Sequence, residues 1–284
     1  MSFSTDIKTE LCAVSDKNGC CRRSELAAIL LFGGNTSPEE ITLRTERSIV
    51  FKRVCGLLGK VLGYREIQEE PNIALPVDRL EELGLIHEGG DISIDEEIFD
   101  SECCKRAFFR GAFLMAGTAA DPRKNYRLEL FAYNETVAAL ASEMLESFGL
   151  SPKSTRRKNY YIIYLEDYES VCDALIVMGA QKSMLKLSYV QIEKDISNNN
   201  NRQNNFYIAN LDKTMTSSAR QCAAIDELAR TGMLETLDEG LKAVAYARAG
   251  NPEMNLSELE KLTGVSKSTL SRRLNKLTEL GEKS

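Results

Sequence analysis

The chain has 284 residues, 43% of them hydrophobic and 27% charged, with a net charge of −6, which is typical of a globular protein with room for two domains. Asp6, Lys8 and Glu10 stand where a secretory signal would need an apolar core. The longest apolar run, residues 26–34, is far shorter than the ~20 residues of a membrane span, so we expect a cytoplasmic protein with no membrane partner.

Two stretches of the N-terminal part repeat each other 83 positions apart. Cys20–Gly34 reads CCRRSELAAILLFGG, and Cys103–Gly117 reads CCKRAFFRGAFLMAG. Each begins with two cysteines and two basic residues, continues as an apolar helix and ends in glycine. Ala28 and Gly111 correspond midway along, and small residues there let two helix backbones approach closely. The repeat predicts two copies of one unit whose apolar helices pack against each other.

The elements after each repeated helix also keep one order. Apolar periodicity and glycine stops predict two strands, a helix, two more strands and a final short helix in both copies. Each copy therefore reads αββαββα, and the fold class is α+β with two pseudo-symmetric halves. In the first copy, five of these elements are predicted at residues 41–46, 48–62, 64–69, 72–77 and 78–83. In the second copy, five of them are predicted at residues 126–133, 135–148, 153–157, 160–165 and 168–177.

An asparagine-rich run separates the two halves from the C-terminal part of the chain. The run Asp195–Asn205 reads DISNNNNRQNN and has no apolar period, so it predicts a linker. From Asn210 onward the pattern is helical. The predicted domains are a first half with an acidic connector (1–98), a second half (99–194), the linker (195–209) and an all-α domain (210–284).

The end of the chain has the pattern of a helix-turn-helix. Ser257 followed by Glu260 predicts a capping box at the start of a short helix, and Gly264 ends that helix. Ser266 is predicted to cap the next helix, which carries leucines on one face. One position departs from the common pattern, because Glu260 stands where a small residue usually lets the two helices pack.

The last helix is basic, with no acidic residue from Ser266 to Lys276. Its polar face suits base edges and phosphates, although a solvated face of an ordinary hairpin is the alternative. We predict binding of double-stranded DNA through Ser266, Lys267, Ser268, Thr269, Ser271, Arg272, Arg273 and Lys276.

The eight cysteines and the single histidine, His87, limit metal chemistry. No C-x-x-C motif is present. Adjacent cysteines rarely chelate one tetrahedral ion, so we expect buried reduced thiols, no metal and no cofactor. A zinc site shared between the pairs Cys20/Cys21 and Cys103/Cys104 is the alternative.

With these pieces assembled, the chain resembles the WhiA family of bacterial regulators. The resemblance rests on the CCRR and CCKR helix starts, on RGAFLMAGTAADP (Arg110–Pro122), on NRQNNFYIANLDKT (Asn201–Thr214) and on the terminal domain. It implies an N-terminal domain shaped like a LAGLIDADG homing endonuclease and a DNA-binding transcription regulator linked to sporulation genes, cell division and chromosome organisation. The alternative is an interaction protein of division or chromosome organisation that uses DNA binding mainly as a nucleoid anchor.

The resemblance also identifies where nuclease metals would bind. In the LAGLIDADG motif the last helical position before glycine is the metal-binding acid, and here these positions hold Gly33 and Ala116. Asp121 lies in the following turn, and the first copy offers only Glu39 and Glu40. Two-metal cleavage needs carboxylates at these two helix ends. We therefore expect that the protein has no nuclease activity and is not an enzyme.

The two halves differ in charge. The second is basic, and we predict secondary DNA contacts at Arg123, Lys124, Arg127, Lys153, Arg156, Arg157 and Lys158. The first is acidic at the matching places, through Glu39, Glu40, Glu66, Glu69 and Glu70. One half would attract phosphate and the other would repel it. We expect weak, one-sided DNA affinity here, with a protein partner on the acidic half.

Overall fold

The computed structural model describes residues 2–16, 18–65, 69–88, 91–94, 96–99 and 101–283. The chain divides into two compact units, Met1–Lys194 and Asp195–Ser284. Each unit is described by itself.

The first half of unit 1 surrounds one long buried helix. An antiparallel sheet of order β1-β2-β3 packs beside it, and a separate hairpin, β4-β5, follows. Two short 3-10 turns, Val77–Arg79 and Glu81–Leu83, replace the short helix predicted at 78–83. The elements are α1 (Phe3–Cys12), α2 (Gly19–Gly33), β1 (Gly34–Thr36), β2 (Glu40–Arg44), α3 (Ser48–Val61), β3 (Asn72–Pro76), β4 (Leu85–Glu88) and β5 (Asp91–Ile94).

The second half repeats this order with a four-stranded antiparallel sheet, β6-β7-β9-β8, in which β8 is an edge strand. The predicted pseudo-symmetric α+β fold is confirmed. The elements are α4 (Glu102–Ala116), β6 (Gly117–Ala119), β7 (Leu128–Ala132), α5 (Glu135–Ser147), β8 (Lys153–Arg157), β9 (Tyr160–Leu165) and α6 (Tyr168–Met178).

The two halves match less closely than the repeat predicts. The strand predicted at 64–69 is not seen at Tyr64, Arg65 or Glu69, and its central residues 66–68 lie outside the described part of the chain. Helix α1 was not predicted. Ser24 lies inside α2, which begins five residues before it, and its buried hydroxyl donates to the Cys104 carbonyl at 2.8 Å.

Helices α2 and α4 cross at the two small residues that correspond in the repeat. A Cβ on Gly111 would overlap the carbonyl oxygen of Glu25 and lie 2.9 Å from the Ala28 Cβ. Phe108, Phe109 and other fully buried side chains surround this crossing. The close approach of the backbones therefore requires glycine at position 111, as predicted.

A buried ionic network lies across the same helix pair. The Glu25 carboxylate is fully buried and accepts from Arg53 Nη2 at 2.7 Å and from Arg110 Nε at 3.0 Å. Arg110 also pairs with Asp16. Because breaking a buried ion pair leaves an uncompensated charge, this network fixes α2, α3 and α4 in one arrangement.

Unit 2 has its own apolar core. Helix α7 (Gln181–Arg230) contains the asparagine-rich run 195–209, which is helical although a linker without helical periodicity was predicted. No glycine or proline occurs between Gln181 and Arg230, so nothing interrupts propagation of the helix. The domain-separating role of the run stays a prediction. The other helices are α8 (Glu239–Gly250), α9 (Leu256–Thr263) and α10 (Lys267–Gly281).

Candidate nucleic-acid interface

Helices α9 and α10 form the predicted helix-turn-helix, with Gly264 in the left-handed conformation (φ 68°) at the turn. The predicted capping box of Ser257 and Glu260 is wrong. Asn255 caps α9 instead, accepting from the Glu258 amide at 3.1 Å, while the Glu258 carboxylate accepts from the Asn255 amide at 2.8 Å. Asn255 and Glu258 have the same spacing as Ser257 and Glu260 and lie two residues earlier in the chain. This overlap explains why the cap was predicted two residues too late.

Glu260 has a different role, at the start of α10. Its Oε1 atom accepts from the Lys267 backbone amide at 3.0 Å. Ser266 occupies the cap position, but its hydroxyl makes no capping bond and lies 2.9 Å from the Thr269 hydroxyl. A carboxylate at a helix N-terminus satisfies a free amide and suits the helix dipole. Glu260, which departs from the common helix-turn-helix pattern, therefore links α9 to the start of α10.

Helix α10 divides into an apolar face and a polar face. Leu270, Leu274 and Leu277 are fully buried in the core that α7, α8 and α9 share. Of the predicted contact residues, five are exposed: Ser266, Lys267, Ser268, Arg272 and Lys276. The other three are half-buried: Thr269, Ser271 and Arg273.

The two adjacent arginines are not equivalent. Arg272 is exposed, whereas the Arg273 guanidinium packs on the first turn of α8, where a Cβ added to Gly240 would lie 2.7 Å from Nη2. The sequence could not separate them, because both lie in an acid-free basic run. Arg272 is the arginine that α10 presents to solvent.

A cleft of about 860 Å³ runs along one row of α10 in unit 2. Lys267, Ser271 and Asn275 line it, spaced four residues apart as on one helix face. Asn210 and Lys213 of α7 line it as well. Asn275 and these α7 residues were not predicted as site residues, although the α7 pair lies within the motif Asn201–Thr214.

A buried arginine holds the segment between α8 and α9. Arg248 is 2% exposed and donates to the Met254 carbonyl at 2.7 Å and to the Asn251 carbonyl at 3.3 Å. Burial lowers the pKa of this guanidinium. This role could not be predicted from sequence, because Arg248 resembles any helix-surface arginine until the chain turns back over it.

Several basic residues of unit 1 are paired with acids. Arg127 lies 2.5 Å from a Glu129 oxygen and stacks on Tyr164, and Lys153 pairs with Glu166. The Glu129 hydrogen bond raises the pKa of Arg127. These acids reduce the positive charge that the sequence predicts for this half.

The remaining predicted contacts stay exposed. Arg156 lies over the Tyr161 ring at 5.2 Å, and Lys158 has a positive φ of 55° in the β8–β9 turn. Among the described residues, no ion pair involves Arg123, Lys124, Arg156, Arg157 or Lys158. The edge strand β8 is thus the most cationic exposed element of this half.

The acidic residues of the first half are also exposed. Glu39 and Glu40 flank the start of β2, and Glu69 and Glu70 precede β3. Glu66 lies outside the described residues.

A cavity of about 430 Å³ lies where the motif would place its metals. Gly33 and Ala116 line it, and a Cβ on Gly33 would lie 3.2 Å from the Met115 Cβ. Its charged lining residues are three cations (Lys8, Arg44 and Arg47) and a single acid (Glu46). Such a lining repels a divalent cation.

Within the residues that the structure describes, no helix has the length and hydropathy to cross a membrane.

The comparisons with known proteins agree with this architecture. A family model described as the WhiA LAGLIDADG-like domain matches residues 105–197, and one described as the WhiA C-terminal HTH domain matches residues 200–281. The probable cell division protein WhiA of Macrococcus caseolyticus is 32% identical over 306 residues, covering 100% of this chain and 96% of the relative. That of Clostridium botulinum is 33% identical over 309 residues, covering 99% and 98%.

A solved structure shares the whole architecture. Full-length DUF199/WhiA from Thermotoga maritima is 25% identical, has a TM-score of 0.60 and covers 100% of this chain and 99% of that one. Fold and site define a LAGLIDADG-like domain joined to a helix-turn-helix domain. The chain belongs to the WhiA family.

Proposed function

We propose that this protein is a sequence-specific DNA-binding transcription regulator that reads double-stranded DNA with α10. The observation that carries the proposal is the polar face of α10 from Lys267 to Lys276, which contains no acidic residue and is held outward by three buried leucines. Unit 2 has twelve basic and twelve acidic residues, so attraction to phosphate comes from this local face and not from net charge.

The test is binding of the full chain to genomic fragments, followed by footprinting. Replacing Arg272 by Ala should weaken operator binding by ~1–3 kcal/mol with reduced discrimination between sequences if it contacts a base, or uniformly if it contacts phosphate. Arg230→Ala is the matched control, because Arg230 is exposed but pairs with Glu227 at the end of α7. Equal affinity of the Arg272 variant and the unchanged chain would contradict the assignment.

A second candidate function is an interaction protein of cell division or chromosome organisation that uses DNA mainly as a nucleoid anchor. It is favoured by the name of the relatives, which are called probable cell division proteins. Occupancy at a few promoters with matching changes of transcription supports the regulator. Broad occupancy with unchanged transcription supports the anchor.

The LAGLIDADG-like unit is proposed to lack nuclease activity. The cationic lining of the cavity at Gly33 and Ala116 supports this, because cleavage would lack the carboxylates that hold its metal ions. Incubation of the full chain with plasmid DNA and Mg²⁺ or Mn²⁺ should leave the plasmid supercoiled. Metal-dependent linearisation would overturn the proposal.

We also propose that unit 1 contributes a weak, one-sided DNA contact through β8, and that its acidic half binds a protein partner. The exposed Arg156, Arg157 and Lys158 support the first part, and the exposed Glu39, Glu40, Glu69 and Glu70 support the second. Affinity capture with a chain carrying Glu39→Lys and Glu40→Lys, compared with the unchanged chain, should lose that partner.

A further inference from the structure

Four cysteine thiols converge at one end of the α2–α4 pair. Cys20 and Cys21 lie in the first turn of α2, and Cys103 and Cys104 lie in the first turn of α4. All four Sγ atoms lie within 4.8 Å of one another. Cys20 and Cys103 are exposed, whereas Cys21 and Cys104 are buried together with Ala107. The pseudo-two-fold repeat thus supplies two ligands from each half.

The spacing of the sulfurs fits a single tetrahedral ion. With Zn–S bonds of about 2.3 Å, a tetrahedral site holds its sulfurs about 3.8 Å apart, so small side-chain adjustments complete it. An iron–sulfur cluster needs more room, because several irons and inorganic sulfides stand between the thiolates. The sequence disfavoured zinc because adjacent cysteines rarely form a complete chelate. In the folded chain the second pair, 83 residues further along the sequence, lies beside the first pair. The two pairs together can therefore supply all four ligands.

The surroundings stabilise negative charge on the sulfurs. Both pairs occupy helix N-termini, where free amides and the helix dipole favour thiolates. The Ser101 hydroxyl lies 3.1 Å from the Cys103 Sγ and donates to the Cys104 Sγ at 3.1 Å. Basic residues follow directly in both helices, Arg22 and Arg23 in one and Lys105 and Arg106 in the other, and Arg106 is itself paired with Glu102.

The four sulfurs need a cation between them once they are charged. Four thiolates this close repel one another strongly unless a cation stands between them. A bound metal ion supplies that cation and deprotonates its thiol ligands outright.

We propose that Cys20, Cys21, Cys103 and Cys104 bind one Zn²⁺ ion that links the two halves of unit 1. Four protein ligands leave no open position, so the ion is structural and not catalytic. Its binding free energy adds to the stability of the unit, because the unfolded chain holds the two pairs far apart. The Ser24 hydroxyl bond to the Cys104 carbonyl keeps the two helix starts in register.

The test measures metal content of the untagged full chain, purified under reducing conditions, incubated with Zn²⁺ and dialysed. About one zinc per chain is expected. The zinc content of the variant Cys20→Ser/Cys103→Ser should be lower by a factor of at least ~10. These two positions are chosen because they are exposed, so serine there should not disturb packing. The control Cys55→Ser/Cys222→Ser should keep its zinc, because both residues lie outside the cluster. A zinc-free unchanged chain, or full zinc content in the Cys20/Cys103 variant, would overturn the proposal.

Cobalt substitution tests the ligand set without any variant. The unchanged chain loaded with Co²⁺ should show the intense thiolate-to-cobalt charge transfer and tetrahedral ligand-field bands of a four-sulfur site. An octahedral cobalt spectrum, or an intact mass showing disulfides within the cluster under the same reducing conditions, would contradict it. Chelation should also lower the melting temperature of the unchanged chain and leave that of the Cys20/Cys103 variant unmoved.

Discussion

At the residue scale, keeping Lys8 charged in its partly buried position costs the folded protein free energy. It lines the cavity at Gly33 and Ala116, and its Nζ lies 6.0 Å from the centre of the Phe113 ring. Burial lowers its pKa to about 8, with Arg47 acting in the same direction and Glu46 opposing. At neutral pH the folded chain must keep this proton in a poorly solvated place.

The consequence is a dependence of stability on pH. Between pH 8 and pH 10.5 the unfolded chain holds a proton on Lys8 that the folded chain has lost, so this residue makes the free energy of unfolding rise with pH. Lys8→Met should remove that rise and stabilise the protein at pH 7 by up to ~3 kcal/mol. Urea unfolding of both chains across this range checks it. The exposed Lys60→Met serves as control and should show no such difference.

Glu25 is the opposite case, a buried charge with two cationic partners. Glu25→Gln would leave Arg53 and Arg110 without the carboxylate that both contact. We expect a loss of ~3–5 kcal/mol in the free energy of unfolding, measured by urea denaturation. Glu40→Gln, on the exposed start of β2, should change it by less than ~0.5 kcal/mol. A Glu25 variant as stable as this control would show that the network is dispensable.

At the element scale, the turn between α9 and α10 depends on Glu260. Glu260→Ala removes the acceptor of the Lys267 amide, and we expect unit 2 to lose ~0.5–2 kcal/mol of stability. DNA affinity should not fall, because the change deletes an acid beside the helix that is proposed to contact phosphate. Thermal unfolding and DNA titration separate the two effects. Glu279→Ala, exposed on α10, is the control that removes an acid without removing a cap.

Local sequence predicts elements well where periodicity is strong and poorly where tertiary contacts decide. The leucine stripe of α10 and the small residues of the α2–α4 crossing were both predictable, because each follows from helical spacing. The cap of α9 was misplaced, since two N-terminal capping patterns overlap and only the contact of Glu260 with α10 separates them. The asparagine-rich run has no apolar periodicity, yet it is helical. The absence of glycine and proline predicts this helix better than periodicity does.

At the scale of the whole molecule, DNA binding is expected to depend mainly on unit 2. The acids Glu129 and Glu166 neutralise part of the basic half of unit 1. Arg156→Glu/Arg157→Glu in the full chain should therefore weaken operator binding only modestly, and less than Arg272→Ala does. Titrations at several salt concentrations check this, because each lost phosphate contact lowers the salt slope by ~1. A loss larger than that of Arg272→Ala would make unit 1 the main DNA-binding unit.

The candidate site could be predicted only in part. The acid-free basic run identified α10 from sequence, but it could not distinguish exposed Arg272 from Arg273, which packs on α8. Nor could it identify Asn210, Lys213 and Asn275 beside the same cleft, because the cleft forms only when α7 folds alongside α10. The cysteine cluster likewise needs the crossing of two distant helices.

The ionic network between α2 and α4 makes the two halves non-interchangeable. By the repeat, Glu25 of the first copy corresponds to Phe108 of the second, and Arg110 corresponds to Ala27. In the first half, Asp16 and Glu25 face one cation of that same half, Arg53. A homotypic dimer of first halves would therefore bury excess negative charge at its seam, and one of second halves would bury two arginines. The heterotypic pairing balances the charges of Asp16, Glu25, Arg53 and Arg110. Neither copy can therefore replace the other without leaving buried charge unbalanced.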